Sequence, residues 1–263
     1  MPIIILSSNA PEEEEVIARS IAAENGYSCV NQGILKEIET KYEIPSGKLE
    51  DALKNSPSFL TKIVSGKWRY HMACLEAEVL DRLKKDQAAC WGIAAHLFVA
   101  GVSHALKVRL VKETGKQNGA IKGDTVPSND TRSKRIETEM LKRKRWSLAA
   151  YGKDETDPSQ YDLMINLDQI DASEAVSAII GATGYRKFQP NTYSMKSLAD
   201  LALAAKVRVT LLKSMQDVKV EAKDGTICVF TKVIKQKKIQ KIKEIKELAG
   251  RIEGVDFVEV HAE

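Results

Sequence analysis

The chain has 263 residues, 43% hydrophobic and 29% charged, with a formal net charge of +4. That composition suits one large globular core or two smaller ones, and the field is too small to announce a polyanion partner. No apolar run approaches the ~18 residues of a membrane span, and the run at residues 2–6 has no basic residue before it, so neither a spanning helix nor a secretory leader is expected. The four cysteines, Cys29, Cys74, Cys90 and Cys228, form no CxxC pair. Free thiols in a reducing cytoplasm are the expectation.

The charge is unevenly placed. Residues 195–263 hold 14 Lys and Arg against 10 Asp and Glu, and the remainder is balanced at 26 against 26. All the excess therefore sits in the last quarter of the chain.

In chain order, residues 2–6 read as a β-branched strand buried on both faces, ended by Ser7-Ser8-Asn9. Pro11 then opens a helix whose first turn carries Glu12 to Glu15. Proline is tolerated there, carboxylates suit the positive helix end, and Ser8 or Asn9 is expected to cap it. Val16, Ile17, Ser20 and Ile21 give the expected buried stripe, and Asn25-Gly26 ends the helix. Helical patterns follow at 32–41, 46–55 and 68–85. Strands are expected at 88–93 and 105–111, a long charged helix at 128–150, a strand at 161–166 and a helix at 172–180. Strands alternating with helices predict an α/β fold, a mostly parallel sheet covered on both faces.

Residues 184–194, rich in turn formers, are expected to link this unit (1–183) to a smaller one (195–263). The smaller unit reads as helix 198–212, a hairpin of 218–222 and 226–233 turning at Asp224-Gly225, helix 236–251 and strand 255–260, an αββαβ order. Ile239, Ile242, Ile245, Leu248 and Ile252 form one helical face. Lys237, Lys238, Lys241, Lys243 and Lys246 line the rest, which reads as a solvated face.

Residues 2–182 resemble the bacterial cytidylate kinase-like family. The resemblance is carried by Gly152-Lys-Asp-Glu-Thr-Asp157-Pro158-Ser-Gln-Tyr161-Asp162-Leu-Met-Ile-Asn166 as lid and following strand. Gly26-Tyr27 leading to Asn31-Gln-Gly-Ile-Leu, and Trp91-Gly92-Ile93-Ala94 through His104-Ala105-Leu-Lys-Val-Arg-Leu110, agree with it in order and spacing. It implies a P-loop kinase-like sheet. The tail is similar to a BON domain, with Asp224-Gly225 and Gly254-Val255 at the matching turns.

The chemistry the resemblance implies needs three things. A glycine-rich loop after the first strand must wrap a phosphate in backbone N–H groups at a helix N-terminus. Here residues 6–15 have no glycine, no lysine, a proline and four glutamates. A carboxylate about 4 Å from a phosphate charge costs roughly 4 kcal/mol at an effective dielectric of ~20, against the ~0.3–1 kcal/mol a helix dipole gives. The acceptor clamp must be charged, yet the family's acidic residue falls at Asn31, its arginine at Gln32, and the arginine of its Gly-Arg-Gly turn at Ile93. Lid arginines must meet the transferring group; Arg143 stands at one such position among Lys142, Lys144 and Arg145, but the downstream pair falls at Leu148 and Ala149.

The expectation is therefore a non-catalytic, regulatory, ligand-sensing or scaffolding protein. Its candidate ligand-binding positions are Ser7, Ser8, Asn9, Asn31, Gly92, Arg143 and Arg145, with no catalytic residue, metal ligand or cofactor. Partners consistent with this are a nucleoside or nucleotide-like molecule, another protein or a second copy. The alternatives are a kinase with an atypical phosphate site, and nucleic-acid binding through the basic helices. The latter is disfavoured because no aromatics interleave with the lysines. His71, His96, His104 and His261 are scattered and read as structural. Ser103 beside His104 is not a nucleophile–base pair on adjacency alone. Trp68, Trp91 and Trp146 read as core or interface residues.

Overall fold

Five short strands form one parallel sheet: β1 (Ile3–Ser8), β2 (Ser28–Val30), β3 (Ala88–Cys90), β4 (Ala105–Val111) and β5 (Leu163–Asn166), in the order β2-β3-β1-β4-β5. A computed structural model of the chain describes residues 2–55, 66–85, 87–112, 129–233 and 235–262. Ser128, the expected start of the long helix, lies outside them, as does Ile234, which precedes the helix expected at 236–251. The central strand explains the fold. Ile3 and Ile5 enter one apolar core, and Ile4 and Leu6 enter the other, all essentially without solvent exposure. A strand with two buried faces needs helices on both sides of its sheet.

On one side lie α1 (Pro11–Asn25) and α6 (Ala172–Thr183), joined through Ile17, Ile21, Val176 and Ile179. On the other lie α2 (Leu35–Lys41), α3 (Lys48–Lys54), α4 (Gly66–Leu83) and α5 (Asn129–Tyr151). The buried stripe of α1 differs from expectation. It runs Glu14, Ile17, Ala18, Ile21 and Ala22, while Val16 is 56% exposed. The helix is rotated so that a carboxylate faces inward.

Trp146 is buried and donates from Nε1 to the Ala52 carbonyl at 2.7 Å, tying α5 to α3. The strand expected at 88–93 ends at Cys90, because Gly92 (φ +73°) and Ala94 (φ +53°) turn the chain away in left-handed conformations. The helix expected from residue 32 starts as a 3-10 turn, Gln32–Ile34, and becomes regular at Leu35.

Helix α7 (Thr192–Leu212) begins six residues before the expected 198. Asn191 caps it by accepting from the Ser194 N–H at 2.9 Å. After it come β6 (Lys219–Lys223), β7 (Thr226–Thr231), α8 (Lys238–Gly250) and β8 (Phe257–Ala262). They form a second sheet, β6-β7-β8, in which β6 and β7 are antiparallel and β7 and β8 parallel. Asp224 (φ +51°) and Gly225 (φ +78°) are both left-handed, as a two-residue hairpin turn of this twist requires. A Cβ on Gly225 would fall 2.2 Å from Asp256 Oδ2, so any other residue would be strained at this φ and would have to displace the Asp256 carboxylate.

The apolar core on the α4 side continues into this second sheet through Leu198, Val207, Ile227, Val229, Ile245 and Val258. Arg208 to Glu76 (2.5 Å) and Lys206 to Asp81 (3.0 Å) pin α7 along α4.

Candidate functional site

In an open parallel sheet, ligands are received beyond the carboxyl ends of the strands, where neighbouring connections diverge. Here β1 lies between β3 and β4, so the segments after β1 and β3 converge with the end of β4. Side-chain parity selects what meets. Residues 3, 5 and 7 of β1, and 105, 107 and 109 of β4, face the α4–α5 side, which places Ser7 beside Arg109. Arg109 is buried, and its Nη1 donates to Ser7 Oγ at 2.7 Å. The Tyr161 ring lies 5.8 Å from its guanidinium carbon.

Around this pair stands a buried polar cluster. The Tyr161 hydroxyl donates to the Glu155 carbonyl at 2.7 Å and lies 3.3 Å from Ser7 Oγ and 3.2 Å from His96 Nε2. The His96 and Tyr161 rings are 5.0 Å apart. Burial, reinforced by Arg109 and Arg143, holds the His96 imidazole down to about 3, so it is neutral at physiological pH. Among the described residues, its Nδ1 and the Glu14 Oε1 are buried without a hydrogen-bond partner. Burial pushes the Glu14 carboxyl up to about 7, against the opposing pull of Arg109 and a hydrogen bond from the Gly92 N–H.

The loop after β1 is closed by its own side chains. Asn9 exchanges two 2.9 Å hydrogen bonds with the Lys112 backbone. Ser8 Oγ accepts from the Ala10 N–H at 2.8 Å and donates to the Leu110 carbonyl at 3.2 Å. The expected cap is thus corrected. Ala10 occupies the cap position with no side-chain hydrogen bond, because Ser8 and Asn9 are spent on the loop and on the segment after β4. Glu13 pairs with Lys112, and Glu15 pairs with Arg19. The four glutamates are therefore not equivalent: Glu12 is exposed, Glu13 and Glu15 are paired, and Glu14 is enclosed.

The remaining candidates divide. Asn31 Oδ1 accepts from the Gly33 N–H at 2.8 Å and starts the 3-10 turn. Gln32 Nε2 donates to the Gly92 carbonyl at 2.8 Å, and Ile93 is buried in the core. Arg143 grips the buried Glu155 through Nε (2.5 Å) and Nη2 (2.7 Å), donates to the Leu53 carbonyl at 3.2 Å and lies over Trp146. Arg145 is exposed on α5 and stands outside the cluster. So Ser7, Gly92 and Arg143 come together around Glu14, Ser8 and Asn9 brace the loop, and Asn31 adjoins through Gln32.

Arg109, His96 and Glu14 were not expected from sequence. For Glu14 a signal existed, since it lies three residues before Ile17 on the true stripe. His104 is buried and meets Ser194, with Nδ1 to Oγ at 2.6 Å, rather than Ser103; this joins the start of β4 to α7.

Sheet order and these converging segments define the class, an α/β fold with a parallel five-stranded sheet covered by helices on both faces. The profile of the cytidylate kinase-like family matches residues 3–169, and the chain belongs to that family. Among solved structures, it is similar to an uncharacterized protein from Eubacterium ventriosum, with TM-score 0.48 and 12% identity over 69% of this chain and 97% of that one. It is also similar to shikimate kinase from Bacteroides thetaiotaomicron, with TM-score 0.37 and 13% identity over 69% and 95%. No curated protein matches the sequence.

Proposed function

We propose that this chain is a non-catalytic member of its family, a regulatory, ligand-sensing or scaffolding protein whose phosphate loop has become a structural turn. The observation that carries this reading is the enclosed Glu14. A phosphate at the start of α1 would face the enclosed Glu14 carboxyl group rather than a cradle of N–H groups, and the loop amide at Ala10 is already taken by Ser8. Phosphoryl transfer depends on positioning and electrostatics. Here the acceptor positions Asn31, Gln32 and Ile93 serve structure, and Arg143 is committed to Glu155. Arg109 is the cation that would favour an atypical kinase, but it is given to Ser7 and opposed by Glu14.

Residues 195–263 act as a BON-like module, joined through 184–194 and docked along α4. It contributes a second binding surface, a groove of about 1040 Å³ between α7 and β6 lined in part by Tyr193, Lys196, Leu201, Val220 and Ala222. The ligand suited to the kinase-like cleft is a nucleoside or another molecule without a terminal phosphate. No helix among the described residues is long and apolar enough to cross a membrane.

Calorimetry with ATP, with and without Mg²⁺, on the wild type and on a chain whose residues 9–15 are replaced by a glycine-rich, lysine-containing loop tests this reading. The wild type should show no ATP binding. The graft should gain weak affinity that falls as salt rises, since the restored N–H groups face an anion near the surface. Tight ATP binding by the wild type, lost on Glu14→Ala, would mean the carboxylate serves a metal–nucleotide complex and would defeat the proposal.

A further inference from the structure

One face of the β6-β7-β8 sheet is left open. Strand register places three cross-strand rows on it: Lys219, Phe230 and His261; Glu221, Cys228 and Glu259; Lys223, Thr226 and Phe257. Ile227, Val229 and Val258 point the other way, into the core. On the open face, Cys228 Sγ lies 3.9 Å from Glu259 Oε2, and His261 Nε2 lies 3.3 Å from Glu259 Oε1. One ligand atom from each of the three residues lies within 4.8 Å of the others. The His261 ring stacks on Phe230 at 4.9 Å and 13°, which fixes the imidazole plane.

We propose that Cys228, Glu259 and His261 form a zinc-class divalent cation site with one coordination position open to solvent. Thiolate, imidazole and carboxylate together are the donor set of a borderline-soft ion, and three protein ligands leave a tetrahedral ion one free position. Tetrahedral bonds of ~2.0–2.3 Å set neighbouring donors ~3.3–3.7 Å apart, so the present spacings close with small side-chain rotations. A thiolate and one carboxylate neutralise the ion. Glu221, opposite Cys228 in the same row, adds negative field and is itself paired with Lys219 at 2.7 Å. The ligands stand on two hydrogen-bonded strands rather than on loops, which holds their geometry. The site is independent of the kinase-like cleft and of the reading proposed for it.

The test uses the full chain, reduced and stripped with a chelator, then titrated with Zn²⁺ alone against a chromophoric competitor. One ion per chain is expected. Co²⁺ in its place should give tetrahedral absorption with a thiolate charge-transfer band. Cys228→Ser should abolish that band. Cys228→Ser, Glu259→Gln and His261→Ala should each weaken zinc by more than the ~10–100-fold that loss of an outer-shell partner costs. Cys29→Ser, which removes the other solvent-facing thiol, should change neither readout. A stoichiometry well below one, or a cobalt spectrum unmoved by Cys228→Ser, overturns the site. Should a variant unfold, the wild-type cobalt spectrum decides alone, and a spectrum with no thiolate band rejects the proposal.

Discussion

Asn9 and Lys112 are joined by a reciprocal pair of hydrogen bonds: the carboxamide oxygen accepts from the Lys112 N–H, and its nitrogen donates to the Lys112 carbonyl, both at 2.9 Å. A side chain thus imitates one more residue of the β1–β4 ladder, at the point where a phosphate loop would need free backbone. Asn9→Ala should lower stability by about 1–2 kcal/mol, seen as a lower urea midpoint at unchanged slope. A midpoint within error of the wild type would show that the pair contributes nothing.

Glu14 and His96 predict an unusual pH profile. Between the ordinary glutamate value of 4.5 and about 7, the folded chain keeps a proton at Glu14 that the unfolded chain has lost. That contribution to stability is full at low pH and is lost as pH rises through about 7. His96 has the opposite sign. Below its ordinary value of 6.5 the unfolded chain gains a proton that the folded chain refuses until about 3, so its contribution falls as pH drops. The two oppose each other between about 4.5 and 6.5. Glu14→Gln should raise stability at about pH 8 by roughly 1–3 kcal/mol and unmask an acid-side decline starting near pH 6.5. Melting curves of variant and wild type that stay parallel across this range would contradict the enclosed carboxylate.

The Arg143–Glu155 pair separates a structural from a catalytic arginine. Glu155 is almost wholly buried, whereas Arg143 is about one-third exposed. Removing the arginine strands a buried charge, so Arg143→Ala should cost about 2–3 kcal/mol, the lower end for such pairs because one partner is partly solvated. Adding Glu155→Gln should recover much of that loss. A stable Arg143→Ala would show that the arginine is free for a ligand.

The unit boundary gives a calorimetric prediction. Arg208–Glu76 and Lys206–Asp81 fasten α7 to α4, and the apolar core runs through both units. The full chain should therefore unfold in one transition, although residues 184–194, the last three of which already belong to α7, remain the proposed point of division. The isolated 195–263 piece, at 69 residues and with the α4 side of α7 uncovered, should fold only marginally. Two resolved transitions in the intact chain would show that the docking is weak.

Much of the fold was legible because its signals are local. The run 105–111 became β4 with those bounds, the αββαβ order followed from periodicity, and Asp224-Gly225 specified its own turn. At the site the sequence showed absences: residues 6–15 have no glycine and no lysine, and uncharged Asn31, Gln32 and Ile93 stand where the resemblance implies charge. What stands around them was harder to see. Arg109 sits inside an apolar strand, and only parity with Ser7 reveals its partner. Among the four carboxylates of the first turn, Glu14 is the one whose spacing to Ile17 and Ile21 places it on the buried stripe. Cys228 meets Glu259 and His261 only through strand register, which sequence spacing does not encode.

A coupled assay for phosphoryl transfer from ATP to CMP, dCMP, AMP and UMP, run at high protein concentration against a heat-inactivated control, tests the central claim most directly. The enclosed Glu14 and the committed Arg143 predict no turnover with any acceptor. Turnover above the control that is lost on Arg109→Met would show that Arg109 holds the phosphate in an unconventional pose, and the non-catalytic account would be wrong.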